Sequence, residues 1–177
     1  PPFRAPHHTS SYVSVVGGGT FPKPGEATLA HYGVLFLDEF PEFDRRVIES
    51  LRQPLEEKTI HISRAKGSAV FPANFILVAA MNPCPCGHYG STKECMCTPS
   101  ALSRYQRKMS GPIMDRIDMW LPVVNIAHEK LAEKRSGEES VSLKESVLSA
   151  RTIQKILFKD APKHIRTNSD MTSRELE

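Results

Sequence analysis

Asp38 and Glu39 stand side by side at the end of GVLFLDEF, directly after the apolar run Val34–Leu37. Neighbouring residues on a strand point to opposite sides, so the two acids cannot share one task. In a nucleotide hydrolase the first would hold a hydrated Mg²⁺ and the second would orient or deprotonate the attacking water. A strand that merely ends in solvated acids carries the same pattern. A second apolar run, FILVAAMN, closes on Asn82, whose amide could hold that same water, although Asn before Pro also starts turns. Four cysteines, Cys84, Cys86, Cys95 and Cys97, follow as two C-x-C pairs. Four thiolates can surround one Zn²⁺ tetrahedrally at about 2.3 Å, and the ion would order a loop with few apolar residues to bury. Free or oxidised surface thiols are the alternative, and His88 could replace one sulfur. Arg64 and Lys66 in ISRAKG could track nucleic-acid phosphates from a hairpin tip. No aromatic residue interleaves them, so base stacking is not expected, and a basic turn with solvated charges remains open. His7 and His8 receive no physical role. Arg116, on its own residues, reads as a helix-end ion pair with Asp115 or Asp118.

The elements that must position these groups can be read from pattern. Pro1 to Pro24 is rich in Pro, His, Ser and Gly and reads as loop, with VSVVGGGT as a short strand. GEATLAHY suggests a short helix, and GVLFLDEF a strand covered on both faces, as in a parallel α/β sheet. Asp44 is a helix N-cap, Val47, Ile48, Leu51 and Leu55 fall at helical spacing, and Pro54 bends the last turn. TIHIS and SAVF bracket RAKG as a hairpin. NFILVAAMN reads as a second buried strand, Pro99 to Met109 as a helix, Pro112 to Asp118 as a helical turn, and MWLPVV as another strand. KLAEKRSGEES is a linker, placing a core at 1–126, the linker at 127–139 and a helical unit at 140–177. SLKESVLSARTIQKILF is amphipathic, with Val147, Leu148, Ile153, Ile156 and Leu157 on its apolar side. MTSRELE begins another helix.

The chain has 177 residues, 40% of them hydrophobic, with 23 Lys and Arg against 20 Asp and Glu. That length supports one main core and a small appended module. A net charge of +3 permits an anionic partner without requiring one. No run approaches the roughly 18 apolar residues of a membrane span, and PPFRAPHHT lacks the features of a signal peptide. A cytoplasmic location without a membrane partner is expected. There thiols stay reduced, which favours a metal over disulfides.

The order acid pair, hairpin, strand-Asn, then Arg resembles the AAA+ ATPases, in the subgroup with a hairpin before the second strand that includes magnesium chelatase motor subunits and MCM helicases. PFRAPHHT, GGGTFPKPGEATLAHYGVLFLDEF, LRQPLEE, ISRAKG, FILVAAMNPCPCG and SGPIMDRID resemble more closely the Mg-chelatase-like family of the ComM and YifB type, over about residues 2 to 124. The resemblance implies an ATP- and Mg-dependent hexameric ring acting on DNA, with branch migration in natural transformation (competence) as the best developed role. It implies Asp38 and Glu39 as the Walker-B acids, Asn82 as sensor 1, and Arg116 as an arginine finger reaching the neighbouring subunit's nucleotide. The implied fold is an α/β, incomplete AAA+ three-layer sandwich with a β-hairpin insertion and the start of a helical lid. G-x-x-x-x-G-K-[ST] occurs nowhere in the sequence, so the chain is expected to be a fragment that neither hydrolyses nor tightly binds ATP alone. The missing phosphate-loop strand would leave a sheet edge that MWLPVV or a second chain must close. A chelatase-type motor for metal insertion and a zinc-stabilised, non-catalytic binding module are the competing readings. The cysteine loop and ISRAKG favour DNA remodelling.

Overall fold

The computed structural model describes residues 1–109, 111–123, 139–162 and 165–171. The chain divides into two compact units, Pro1–Asn125 and Ile126–Glu177. In the first, the elements are β1 (Phe3–Arg4), α1 (Tyr12–Val16), β2 (Gly17–Gly18), β3 (Lys23–Pro24), α2 (Glu26–Leu29), β4 (Val34–Leu37), α3 (Arg45–Ser50), α4 (Arg52–Glu57), β5 (Thr59–Arg64), β6 (Gly67–Pro72), β7 (Ile76–Ala79), α5 (Pro99–Gln106) and α6 (Gly111–Met114). The second contains α7 (Ser140–Leu157). Among the described residues no helix is long and apolar enough to cross a membrane. The linker expected at 127–139 and the helix expected from Met171 onward lie outside the described residues, apart from Glu139 and Met171, neither of which is helical.

Three strands form a parallel sheet in the order β1-β4-β7, with Phe3 opposite Val34 and Leu37 opposite Ala79. This mixed α/β architecture is the expected incomplete AAA+ fold. β4 is central because it alone has partners on both sides. Leu35 and Leu37 point into the core, fully buried, beside Phe40, Val47, Ile48, Leu51, Ile60 and Ile113. Burying each such side chain contributes about 1.5 to 3 kcal/mol. The opposite face of β4 is only half covered, by the Phe3 ring stacked 6.1 Å from Phe36.

Several elements form as their residues dictate. Asp44 caps α3, its Oδ1 accepting from Arg46 N at 2.7 Å. The helical segment breaks at Leu51, earlier than a bend in its last turn, because Pro54 has no N–H for the Ser50 carbonyl and its ring crowds that carbonyl. β5 and β6 pair antiparallel from Thr59 opposite Pro72 to Arg64 opposite Gly67, leaving Ala65 and Lys66 as the turn. Ile60 and Ile62 alternate inward to the core.

Four expectations are corrected. VSVV is helical rather than extended: Ser11 caps it by accepting from Ser14 N, and burial of Val15 and Val16 outweighs their β-branched preference. Only Gly17–Gly18 is a strand, paired with Lys23–Pro24. Phe3–Arg4, expected as loop, supplies β1, tied to α2 by the Arg4 guanidinium forked onto Glu26 at 2.5 and 2.7 Å. β7 is not a buried strand. It is the sheet edge, with Ile76 59% and Val78 42% exposed. MWLPVV does not close that edge: residues 119–123 are neither paired nor buried, and Pro122 lacks the donor a ladder needs. In α7 the apolar stripe is present at helical spacing, and its residues are exposed.

One glycine is required by close approach. A Cβ on Gly33 would fall inside the contact distance of the Pro2 carbonyl, which accepts from Val34 N to start the β1–β4 ladder. Gly33→Ala is expected to displace β1 and to destabilise the fold by about 1 to 3 kcal/mol, the usual cost of overpacking. An unfolding midpoint in urea matching wild type would contradict that close approach.

Candidate functional site

The parallel register carries Asp38, Glu39 and Asn82 out at one edge of the sheet. Beyond Leu37–Ala79 the ladder runs one step further: Ala80 N donates to Leu37 O at 3.0 Å and Phe40 N to Ala80 O at 2.9 Å. The chain then turns sharply at Glu39, whose φ of 50° is left-handed. Such a conformation costs a non-glycine residue about 1 to 2 kcal/mol. It is held by Asp38 Oδ1, which accepts from Glu39 N at 2.8 Å, and by the buried anchors Phe40 and Pro41 of the following 3-10 turn. Both acids and Asn82 are exposed.

The third strand adds a residue that had no expected role. His8 follows β1, and its Nδ1 lies 2.7 Å from Glu39 Oε2. The ring is wedged edge-on to Phe43 at 6.4 Å and against His7 at 4.2 Å. The signal for His8 was hidden because β1 is only two residues long and carries no periodicity.

Tyr105 supports Asn82 through its backbone. Thr98 caps α5 by accepting from Ala101 N, and this helix delivers the Tyr105 hydroxyl, which donates to the Asn82 carbonyl at 3.0 Å. Burial, then the charges of Glu42 and Cys84, push the phenol above its ordinary pKa, so it stays a donor. Lys108 pairs with Glu42 at 2.7 Å, tying the segment after α5 to the turn that follows Glu39.

Arg116 is brought elsewhere. Its guanidinium pairs with Glu56 of α4 and donates to the Pro112 carbonyl, and its Nε is buried without a partner. It bonds none of Asp38, Glu39 or Asn82, and the expected pairing with Asp115 or Asp118 does not form. Arg64 and Lys66 do sit at a hairpin tip. No aromatic interleaves them in sequence, but the fold brings one beside Lys66: its Nζ lies 5.3 Å from the centroid of Phe21, which is 62% exposed on the β2–β3 turn. The Arg64 guanidinium packs beside Gly18 on the same hairpin and donates to Ser63 O at 2.9 Å. Phe21 and Lys66 lie 45 positions apart in sequence, a distance no local pattern spans.

The four cysteine sulfurs converge, all within 4.8 Å of one another, without His88. Cys84 is buried, and its Sγ accepts from Tyr89 N at 3.3 Å. The backbone N–H of His88 draws the Cys86 thiol down to about 6. Cys97 receives a hydrogen bond from the Cys86 backbone, but burial and the three surrounding thiols push it up to about 12. Four thiols this close cannot all ionise without a cation between them, so the donor set is one a metal ion could complete.

The chain resembles known proteins along most of its length. The family model described as Magnesium chelatase, subunit ChlI matches residues 1–131. Competence protein ComM of Haemophilus influenzae is 51% identical over 154 residues, covering 86% of this chain and 30% of that protein. The uncharacterized protein YifB of Escherichia coli is 47% identical over 157 residues, with the same coverage of 86% and 30%. More distantly, a DNA replication licensing factor of Drosophila melanogaster is 30% identical over 137 residues, 75% of this chain and 16% of that protein. The chain therefore spans about 30% of the length of its bacterial relatives. The match across the whole acid-to-arginine segment, on a parallel sheet with a hairpin before its edge strand, places the chain in the Mg-chelatase-like family of the ComM and YifB type.

Proposed function

We propose that the protein carrying this chain is a cytoplasmic AAA+ ATPase that couples ATP hydrolysis to DNA remodelling of the branch-migration or helicase type, as a hexameric ring. The observation that carries this reading is the shared sheet edge, where three parallel strands lead to His8, to Asp38 and Glu39, and to Asn82. Open α/β sheets bind ligands at the carboxyl ends of their strands. Asp38 would hold Mg²⁺ through water, and its exposed carboxylate fits that task. Mg²⁺ there supplies neutralisation of phosphate charge. Glu39 accepts the proton of the attacking water, with His8 on one carboxylate oxygen fixing the direction of the other. Asn82 orients that water. Arg116 serves the neighbouring subunit's nucleotide, and the four-cysteine loop takes Zn²⁺.

For DNA, the supporting features are the paired cations at the hairpin tip and the exposed Phe21 ring beside them. The relatives' names, a competence protein and a replication licensing factor, point the same way. Each phosphate-contacting cation adds about 0.7 to 0.9 to the slope of log affinity against log salt. Arg64→Ala with Lys66→Ala in the full-length protein is expected to flatten that slope by about 1.4 to 1.8 and to weaken binding of single-stranded and duplex DNA regardless of sequence. An unchanged slope in a fluorescence anisotropy titration would remove the hairpin from the DNA path. The overall reading is tested by whether DNA stimulates ATP hydrolysis by the full-length protein. Hydrolysis indifferent to DNA would favour a chelatase-type motor.

A further inference from the structure

The segment between β7 and α5 has no regular secondary structure, and Cys84 is its only buried residue. A hydrophobic core therefore does not hold it. Its sulfurs stand 3.4, 3.8 and 3.6 Å apart for the pairs Cys84–Cys86, Cys84–Cys95 and Cys86–Cys95. Sulfurs at about 2.3 Å from one tetrahedral Zn²⁺ stand about 3.8 Å from each other. A disulfide needs about 2.05 Å. The spacing is that of a metal centre, and the cysteines are free.

The position of this cluster in the chain gives it a second consequence. Cys84 follows Asn82 by two residues, and Cys97 immediately precedes Thr98, the N-cap of α5. α5 then returns the buried Tyr105, whose hydroxyl donates to the Asn82 carbonyl. The path closes on itself: Asn82, Cys84, the four-sulfur centre, Cys97, α5, Tyr105 and back to Asn82. Asn82 is thereby held from two sides, along the chain by Cys84 and across space by Tyr105. The Lys108–Glu42 pair extends the same brace to the turn after Glu39.

We infer that Cys84, Cys86, Cys95 and Cys97 bind one Zn²⁺ whose role is to brace Asn82 at the sheet edge through Tyr105, making metal loading a determinant of the geometry of the ATPase site. Tyr105 is a positioning residue, acting through Asn82. The part of this inference that concerns turnover rests on the ATPase reading above; the part that concerns metal and local order does not.

The experiment uses the full-length protein purified without chelator. Elemental analysis is expected to give one zinc per chain, with four thiols unreactive until a chelator strips the metal. Cys97→Ser is expected to surrender zinc to a competing chromophoric chelator at least about 10-fold more readily. Tyr105→Phe keeps the ring and the zinc but loses the hydroxyl; it is expected to lower kcat for ATP about 10-fold with KM within two-fold, the signature of an interaction that matters in the transition state. In hydrogen exchange, the Ala80 amide, which donates to Leu37 O, is expected to lose protection both in Tyr105→Phe and after zinc removal. Sub-stoichiometric zinc with four freely titrating thiols overturns the metal centre. Full zinc with unchanged exchange at Ala80 in both cases overturns the brace, whether or not the protein hydrolyses ATP. Full zinc and altered exchange in a protein without ATPase activity supports the brace and sinks the ATPase reading instead.

Discussion

Glu39→Gln in the full-length protein is expected to lower ATP hydrolysis by about 10² to 10⁴-fold, the range lost with a general base, while ATP binding survives. The substitution isolates one property. Gln keeps the size of Glu and can still hydrogen-bond His8, whose Nδ1 sits 2.7 Å from Glu39 Oε2. It tolerates the left-handed backbone at position 39 about as well as Glu, so the turn held by Asp38 Oδ1 and anchored by Phe40 should persist. What is removed is the capacity to take a proton. Asp38→Asn should behave differently, since a metal-holding carboxylate supports nucleotide binding as well as turnover. Its loss should appear in the Mg-dependence of binding. Single-turnover hydrolysis with saturating Mg–ATP separates the two cases. A Glu39→Gln rate within two-fold of wild type would mean the acid pair is only a solvated strand end, and the reading built on the shared edge would fail with it.

The parts legible in the sequence were those set by local periodicity and turn chemistry. Val34–Leu37, the Asp44 cap, the RAKG hairpin and helix α5 all declare themselves within a dozen residues. The convergence of the cysteines was legible as spacing, though their geometry was not. What escaped reading depends on contacts far apart in the chain. β1 has two residues and becomes a strand only because β4 offers it a ladder across Gly33. α1 carries three valines that suggest a strand, and burial of two of them settled it as a helix. The apolar residues of β7 gave no hint that it would be an edge, because hydrophobicity shows that a residue can be covered, not that anything covers it. Likewise His8 on Glu39, Phe21 under Lys66 and Glu56 on Arg116 join residues 31, 45 and 60 positions apart.

That last contact frames the other large effect. Arg116→Ala is expected to cut turnover by about 10³ to 10⁵-fold, the usual contribution of an arginine supplied in trans. The contacts of Arg116 within the chain predict a much smaller result. Its partner Glu56 is more than half exposed, and such pairs contribute about 0 to 1 kcal/mol. Its buried Nε has no hydrogen-bond partner, so truncation abandons no good interaction there. A purely structural Arg116 should therefore give a small loss of stability and near-normal hydrolysis. Engaging a neighbour's nucleotide requires the guanidinium to leave Glu56. Glu56→Gln, which weakens that tether, should leave turnover unchanged or raise it. Mixing supplies the sharper discrimination. Arg116→Ala subunits retain Glu39, and Glu39→Gln subunits retain Arg116, so in a mixed ring some sites combine an intact base with an intact arginine from next door. Two inactive proteins should then recover activity together, in proportion to the chance of that adjacency. Failure to recover, in rings shown by native mass spectrometry to be mixed, would confine Arg116 to its own subunit, where it pairs with Glu56 and donates to the Pro112 carbonyl.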